Sequence, residues 1–252
     1  MELSGTSALV TGAGSGLGAA TAELLAAAGV RVVAMDVNAE GLAALSARCG
    51  ATPVAGDVAS EADVATALEA AAGLGPLRLA VNCAGIAPAA RVVGRGGAHD
   101  LALFEKTLRV NLLGTFNVLR LAAQRMLALP VTAPDGERGV IVNTASIAAE
   151  DGQVGQCAYA ASKAGVMGLT LPAARELAKS GIRVVTIAPG LFETPMLAGL
   201  PEAAQAAIRA LPPFPARLGK PEEFARMVLA ICANPLLNGT TLRLDSALRL
   251  PP

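Results

Sequence analysis

Residues 7–29 constrain the fold more than any other stretch of this chain. A short apolar run, Ser7 to Thr11, passes without a break into Gly12-Ala-Gly-Ser-Gly-Leu-Gly18. An Ala/Leu-rich segment follows to about Ala28, and Gly29 closes it. Strand, glycine loop and helix in that order begin a β-α-β unit, which commits the chain to a parallel sheet with helices packed on it. The glycines let the backbone turn tightly and approach a ligand, while the helix N-terminus offers free N–H groups and a positive dipole end. Gly12, Ser15, Gly16, Leu17 and Gly18 are therefore candidate contacts for the pyrophosphate of a dinucleotide.

The same alternation runs on. Strands are expected at Arg31–Asp36, at a segment ending Gly56-Asp57-Val58, at Leu77–Val81, Gly139–Ala145, Ile182–Ala188 and Thr241–Leu244. Helices are expected at about 39–48, 60–72, 100–129, 158–180 and 221–233, with loops at 88–100 and 130–138. This pattern predicts the α/β class: a Rossmann-type, doubly wound parallel sheet in three α/β/α layers, a single domain over 1–252. With 53% apolar but only 2% aromatic residues, the core must be built from Ala, Val, Leu and Ile. The apolar, proline-bounded stretch at about 189–215 reads as a substrate lid, against the plainer reading of a surface helix.

Four places carry chemistry. Asp36 ends the second strand eighteen residues after Gly18. An acid there accepts bonds from both ribose hydroxyls of NAD and repels the 2′-phosphate of NADP. Neither Ser15 nor Val37 is basic, so NAD is the expected cofactor; the competing role for Asp36 is a helix cap. Ala84 and Gly85, after Asn82, are small enough for a ring or ribose to lie on the backbone. Asn111 sits in an apolar helical run, and a buried Asn must find partners, whether structural or catalytic. Tyr159 and Lys163, four apart on one helix face, stand thirteen residues beyond Ser146, which closes a strand. A cation beside a phenol favours the phenolate, so Lys163 is expected to lower the Tyr159 pKa and make it a general acid/base.

Composition narrows the partners. Charged residues are only 16% and the formal net charge is zero, which argues against nucleic acid and suggests surface buried between subunits. Four cysteines without paired spacing and one histidine assemble no familiar metal site. No basic-then-apolar leader and no membrane-spanning run is visible, so a cytoplasmic protein without membrane contact is expected.

Thr11-Gly-x-x-x-Gly-x-Gly18, Asn82-x-Ala-Gly85, Asn111, Ser146, Tyr159-x-x-x-Lys163 and Pro189-Gly190 together resemble the short-chain dehydrogenase/reductase family over nearly the whole chain. Within it, the segments 99–121, 143–166, 187–197, 213–219 and 234–250 are similar to members acting on 3-hydroxyacyl-CoA thioesters. The resemblance implies that Tyr159 exchanges the proton with the substrate oxygen and that Ser146 bonds the same oxygen. It implies that Lys163 also bonds the nicotinamide ribose, and that Asn111 holds a water linking Lys163 to solvent. Asp57 and Val58 would contact adenine, Cys83 to Gly85 the adenosine ribose, and Pro189, Phe192 and Thr194 the nicotinamide half. Gln153 would sit near the substrate, an acyl-CoA thioester, and the long helices would pair in a homotetramer. Other secondary alcohols, hydroxysteroids or carrier-protein thioesters remain open as substrates. A non-catalytic NAD scaffold would not need all four catalytic positions filled. Two departures stand out: the 88–100 loop, whose Arg91 and Arg95 either meet CoA phosphates or are simply solvated, and Ser246, where the family pattern leads one to expect glycine.

Overall fold

The computed structural model describes residues 1–132, 134–195 and 202–251. The run Ser7–Thr11 is β1, buried along its whole length as a strand covered on both faces must be. It leads through the glycine loop into α1 (Gly16–Ala27) and on to β2 (Arg31–Asp36), in parallel register from Ser7↔Arg31 to Thr11↔Met35. The alternation continues with α2 (Ala39–Cys49), β3 (Thr52–Ala55), α3 (Glu61–Leu74) and β4 (Leu77–Asn82). Side-chain caps set the helix starts: Asn38 accepts the Gly41 N–H at 3.1 Å, and Ser60 accepts that of Asp63 at 3.3 Å.

Two expectations need correction past β4. The stretch 88–100 is not merely a loop, since it holds an antiparallel ribbon of β5 (Val93–Gly94) and β6 (Gly97–Ala98). The helix expected over 100–129 is interrupted: α4 (Leu101–Leu108) and α5 (Thr115–Leu127) are joined by a π-helical turn, Arg109–Gly114. Apolar periodicity does not distinguish one wider turn from its neighbours. The chain then forms β7 (Gly139–Thr144), α6 (Cys157–Leu177), β8 (Ile182–Pro189), α7 (Glu202–Arg209), α8 (Pro221–Ala233) and β9 (Thr241–Leu244). Of the expected lid, residues 196–201 lie outside the described residues.

Seven parallel strands make one sheet in the order β3-β2-β1-β4-β7-β8-β9. The order reverses direction between β1 and β4, which opens a crevice at the strands' carboxyl ends. One face buries Leu25 of α1, Leu42 and Leu45 of α2, and Phe224, Val228 and Ile231 of α8 against Val10, Val81 and Val142. The other buries Leu68 of α3, Val118 and Met126 of α5, and Ala174 of α6 against Leu9, Ala80 and Ile141. Arg183 on β8, only 7% exposed, pairs with Glu137 at 2.7 Å and donates to the carbonyls of Ile231 and Leu237 at 2.9 and 2.8 Å. A cation there suits the negative end of the α8 dipole. No helix among the described residues is long and apolar enough to cross a membrane.

Candidate active site

The carboxyl ends of β1, β2, β4, β7 and β8 surround a cavity of about 650 Å³. The glycine loop forms one wall, contributing Gly12, Ser15, Gly16, Leu17 and Gly18. Gly12 has φ of 65°, and a Cβ built on it would lie 2.5 Å from the Ala84 nitrogen; one built on Gly18 would lie 2.2 Å from the Gly12 carbonyl oxygen. Only glycine lets the loop nest this closely on itself and on the end of β4. Asp36 lines the same cavity, and its carboxylate accepts the N–H groups of Gly14 and Asn38, each at 2.9 Å. The cap of α2 is Asn38, so Asp36 is not that helix's cap; it ties the glycine loop to β2.

Asp57 and Val58 follow β3 and line the cavity beyond Asp36. They lie past the end of β3, where the sequence suggested that strand would continue. The Asp57 N–H is held by the Asp63 carboxylate at 2.9 Å, and the Val58 carbonyl accepts Asn117 Nδ2 of α5 at 2.9 Å. Cys83, Ala84 and Gly85 continue the wall from β4. Burial pushes the Cys83 thiol up to about 11, outweighing the hydrogen bond from the Thr144 hydroxyl at 3.8 Å, so it stays a neutral wall group. A Cβ on Gly85 would lie 3.2 Å from Asn111 Oδ1 and 3.4 Å from Lys163 Nζ, so the missing side chain leaves room for both.

The opposite end holds Ser146, Tyr159 and Lys163. Ser146 follows β7 and its hydroxyl accepts the Ala148 N–H at 3.1 Å, starting a short 3-10 turn. Lys163 is 4% exposed and donates to the Thr144 carbonyl at 2.8 Å; its Nζ is 5.9 Å from the centre of the Tyr159 ring. The expected order of effects changes here. Burial, not the ammonium, dominates the Tyr159 phenol and raises its pKa, with the Ser146 hydroxyl pulling it back. Burial also lowers the Lys163 pKa, to about 8. Asn111 lies in the π-turn and is fully buried. Its amide donates to the Ile86 carbonyl at 2.8 Å and to the Ser162 hydroxyl at 3.0 Å, and its oxygen accepts the Ile86 N–H at 2.8 Å. It does not line the cavity but brackets the chain beyond β4 to α6.

Pro189, at the end of β8, and Phe192 and Thr194 beyond it line the cavity. Phe192 is held by a parallel bridge to Gly219, where a Cβ would come within 2.7 Å of its ring. Gln153 falls elsewhere: with Arg91, Val93, Val154 and Cys157 it lines a second hollow of about 420 Å³, and its Nε2 donates to the Pro251 carbonyl at 3.2 Å. The cavity also takes in Val37, Gly56, Ile86, Lys106, Val110, Thr144, Gly190 and Pro195, which sequence reasoning did not assign. Most flank an assigned residue by one or two positions; Lys106 of α4 and Val110 of the π-turn carried no signal. Among the described residues no three His, Cys, Asp or Glu side chains gather as a metal site would need.

The sequence pattern of the short chain dehydrogenases matches residues 6–205. The chain is 51% identical to human 3-hydroxyacyl-CoA dehydrogenase type-2, over all of this chain and 98% of the relative. It is also 51% identical to the Drosophila melanogaster protein of that name, with 97% of each covered. The crystal structure of 3-hydroxyacyl-CoA dehydrogenase type-2 from Mycobacterium avium superposes with a TM-score of 0.94 at 47% identity, covering 98% of this chain and 97% of that one.

The chain belongs to the short-chain dehydrogenase family. As a short-chain dehydrogenase it takes a nicotinamide dinucleotide, NAD or NADP. The cavity fits one: the glycine loop folds on itself and on Ala84 more closely than any Cβ would allow, which brings it to the cavity wall, and N–H groups at the start of α1 suit a pyrophosphate. The Asp36 end places a carboxylate where a ribose would fit, and the Ser146–Tyr159–Lys163 end of this short-chain dehydrogenase brings two hydroxyls and a buried amine to one place.

Proposed function

We propose that this protein is an NAD-dependent 3-hydroxyacyl-CoA dehydrogenase, interconverting a (3S)-hydroxyacyl-CoA and the 3-oxoacyl-CoA. The observation that carries the reading is full-length likeness, 51% identical, to relatives of that name, with Ser146, Tyr159 and Lys163 together in one cavity. Bound NAD supplies the hydride acceptor for the carbinol carbon. In oxidation Tyr159 takes the proton of the substrate hydroxyl, and in reduction it returns one to the carbonyl oxygen. The Ser146 hydroxyl bonds the same oxygen and holds it toward the phenol. Lys163 keeps positive charge beside both and bonds the nicotinamide ribose, while the one lone pair left on Asn111 Oδ1 takes the water that links Lys163 to solvent.

Asp36 selects NAD over NADP, because a 2′-phosphate would meet a fixed carboxylate. Asp57 and Val58 take the adenine, Cys83 to Gly85 the adenosine ribose, and Pro189, Phe192 and Thr194 the nicotinamide. Arg91, lining the second hollow, and Arg95, between β5 and β6, meet the CoA phosphates, with Gln153 at the acyl side. A cytoplasmic homotetramer completes the reading.

The test is NADH oxidation with acetoacetyl-CoA, run beside NADPH and a steroid ketone. The expected result is rapid turnover of the thioester, with NADH favoured at least about 100-fold, since juxtaposed like charges cost several kcal/mol. Equal rates with NADPH overturn the role of Asp36. Turnover of the steroid ketone alone overturns the substrate.

A further inference from the structure

Arg243, near the end of the edge strand β9, gathers more partners than any role in the sheet requires. Its guanidinium bonds Asp245 at 2.9 Å, Asp151 at 2.7 Å, the Leu248 carbonyl at 3.0 Å and Glu150. Asp245 in turn pairs with Arg249 at 3.2 Å and accepts the Ala247 N–H at 3.2 Å. The Arg243, Asp151 and Asp245 side chains are 18%, 14% and 9% exposed, so the bonds from Arg243 to the two aspartates are partly shielded from water, while Glu150 and Arg249 stay open to it. The carboxyl of Asp151 is held below its ordinary range, first of all by the bond from Arg243.

The two carboxylates on the far side belong to the loop 150–156, which joins the Ser146 turn to α6. That loop has no helix or strand of its own. It is fastened at three places: by Arg243 at Glu150 and Asp151, by the C-terminal tail where Gln153 bonds Pro251, and by the 88–98 segment where the Ala90 N–H donates to the Gly155 carbonyl at 2.8 Å. The tail itself carries two left-handed non-glycine residues in succession, Ser246 with φ of 54° and Ala247 with φ of 60°. Such residues cost on the order of 1 kcal/mol each and persist only where surrounding contacts over-determine them. The contacts here are those of Arg243 and Asp245. On its other side Asp245 packs against Gly190, which lines the main cavity; a Cβ on Gly190 would lie 2.8 Å from that of Asp245.

We propose that Arg243 is a positioning residue for the substrate: it locks the C-terminal tail to the 150–156 loop and so fixes the wall between Ser146 and the second hollow where the acyl thioester enters. Arg243 touches neither the main cavity nor the second hollow, and its fork holds several oxygens at once, which a lysine cannot reproduce. The glycine loop after β1, Asp36 at the end of β2 and Val58 beyond β3 belong to other parts of the sheet and make no bond to the Arg243 cluster. The effect belongs in substrate affinity, leaving proton transfer and dinucleotide binding intact.

This inference rests on the thioester reading, and the test separates the two: the parent enzyme's own turnover decides the reading, and the ratio of variant to parent decides the role of Arg243. Steady-state kinetics with NADH and acetoacetyl-CoA are compared for the parent, Arg243→Gln, Arg243→Lys and Asp151→Asn, together with NADH dissociation constants from fluorescence. Arg243→Gln is expected to raise the thioester KM at least fivefold, with kcat and NADH affinity within twofold of the parent. Arg243→Lys should recover part of that loss, and Asp151→Asn should show the same split two- to threefold. If Arg243→Gln does not fold, Asp151→Asn decides on the same measure. An unchanged KM, or KM, kcat and NADH affinity worsening together, overturns the proposal. If the parent reduces another ketone instead, the same ratios are read with that ketone.

Discussion

At the scale of single residues, the site conflicts with stability at Lys163. The ammonium is 4% exposed and, among the described residues, has one hydrogen bond, to Thr144, for its three donors. Burial lowers its pKa to about 8 from 10.5. The folded protein therefore binds fewer protons here than the unfolded chain between pH 8 and 10.5. Stability from this group rises with pH across that window, and below pH 8 the burial penalty is fully present. The difference is worth on the order of 3 kcal/mol, of which about 1 returns through the bond to Thr144. Lys163→Met in the protein without nucleotide should therefore melt about 5 °C higher than the parent at pH 7. That advantage should shrink toward pH 10, and the variant should be inactive. Thermal unfolding by circular dichroism at both pH values is the check; a variant less stable at pH 7, with a gap indifferent to pH, would show that the buried amine carries no such penalty. The sequence placed Tyr159 and Lys163 on one helix face, but their mutual electrostatics depend on depth, which a four-residue spacing does not report.

At the scale of elements, β1, the glycine loop, α1 and β2 were legible because each signal is local: an apolar run, a glycine cluster, a helix former, a terminal acid. The bond by which Asp36 ties Gly14 to β2 was not, because it joins positions 22 apart. The π-turn between α4 and α5 was illegible for a different reason, since its residues keep a helix's composition and differ only in hydrogen bonding. The same segment governs the far end of the cavity. A Cβ on Gly114 would lie 2.5 Å from Val58 Cγ2, while Asn117 one turn on holds the Val58 carbonyl. The end of the π-turn and the first turn of α5 thus set Val58 together. Gly114→Ala should destabilise the protein by about 1–3 kcal/mol, as overpacking does, and weaken NADH binding several-fold by displacing Val58. Isothermal titration with NADH and chemical denaturation measure the two effects. Unchanged affinity would mean that Val58 does not shape the nucleotide site. The Arg183–Glu137 pair and the Arg243 cluster escaped sequence reading in the same way as Asp36: each joins segments distant in sequence, with only isolated charges to mark them.

For the whole molecule, one topological fact organises the rest. Because the sheet reverses between β1 and β4, residues from every strand end between β2 and β8 face one crevice, and a site scattered over 12–195 becomes compact. The sequence already implied this through its strand–helix alternation, although strand order is a property of the assembled sheet. What the single chain leaves on its outside is also informative. Leu101 on α4, Leu113 in the π-turn, Phe116 on α5 and Leu171 on α6 are 67%, 58%, 49% and 43% exposed, on the helices that the family resemblance expects to pair between subunits. Large side chains left so open on neighbouring helices, in a chain with few charges, favour burial against further copies. Sedimentation velocity at micromolar concentration should give a tetramer, and Leu113→Asp with Phe116→Arg should shift it to dimer or monomer. Neither residue lines the cavity, so the dissociated variant should still bind NADH. A parent protein that sediments as a monomer would mean that these side chains stay exposed and that the low charge content has another cause.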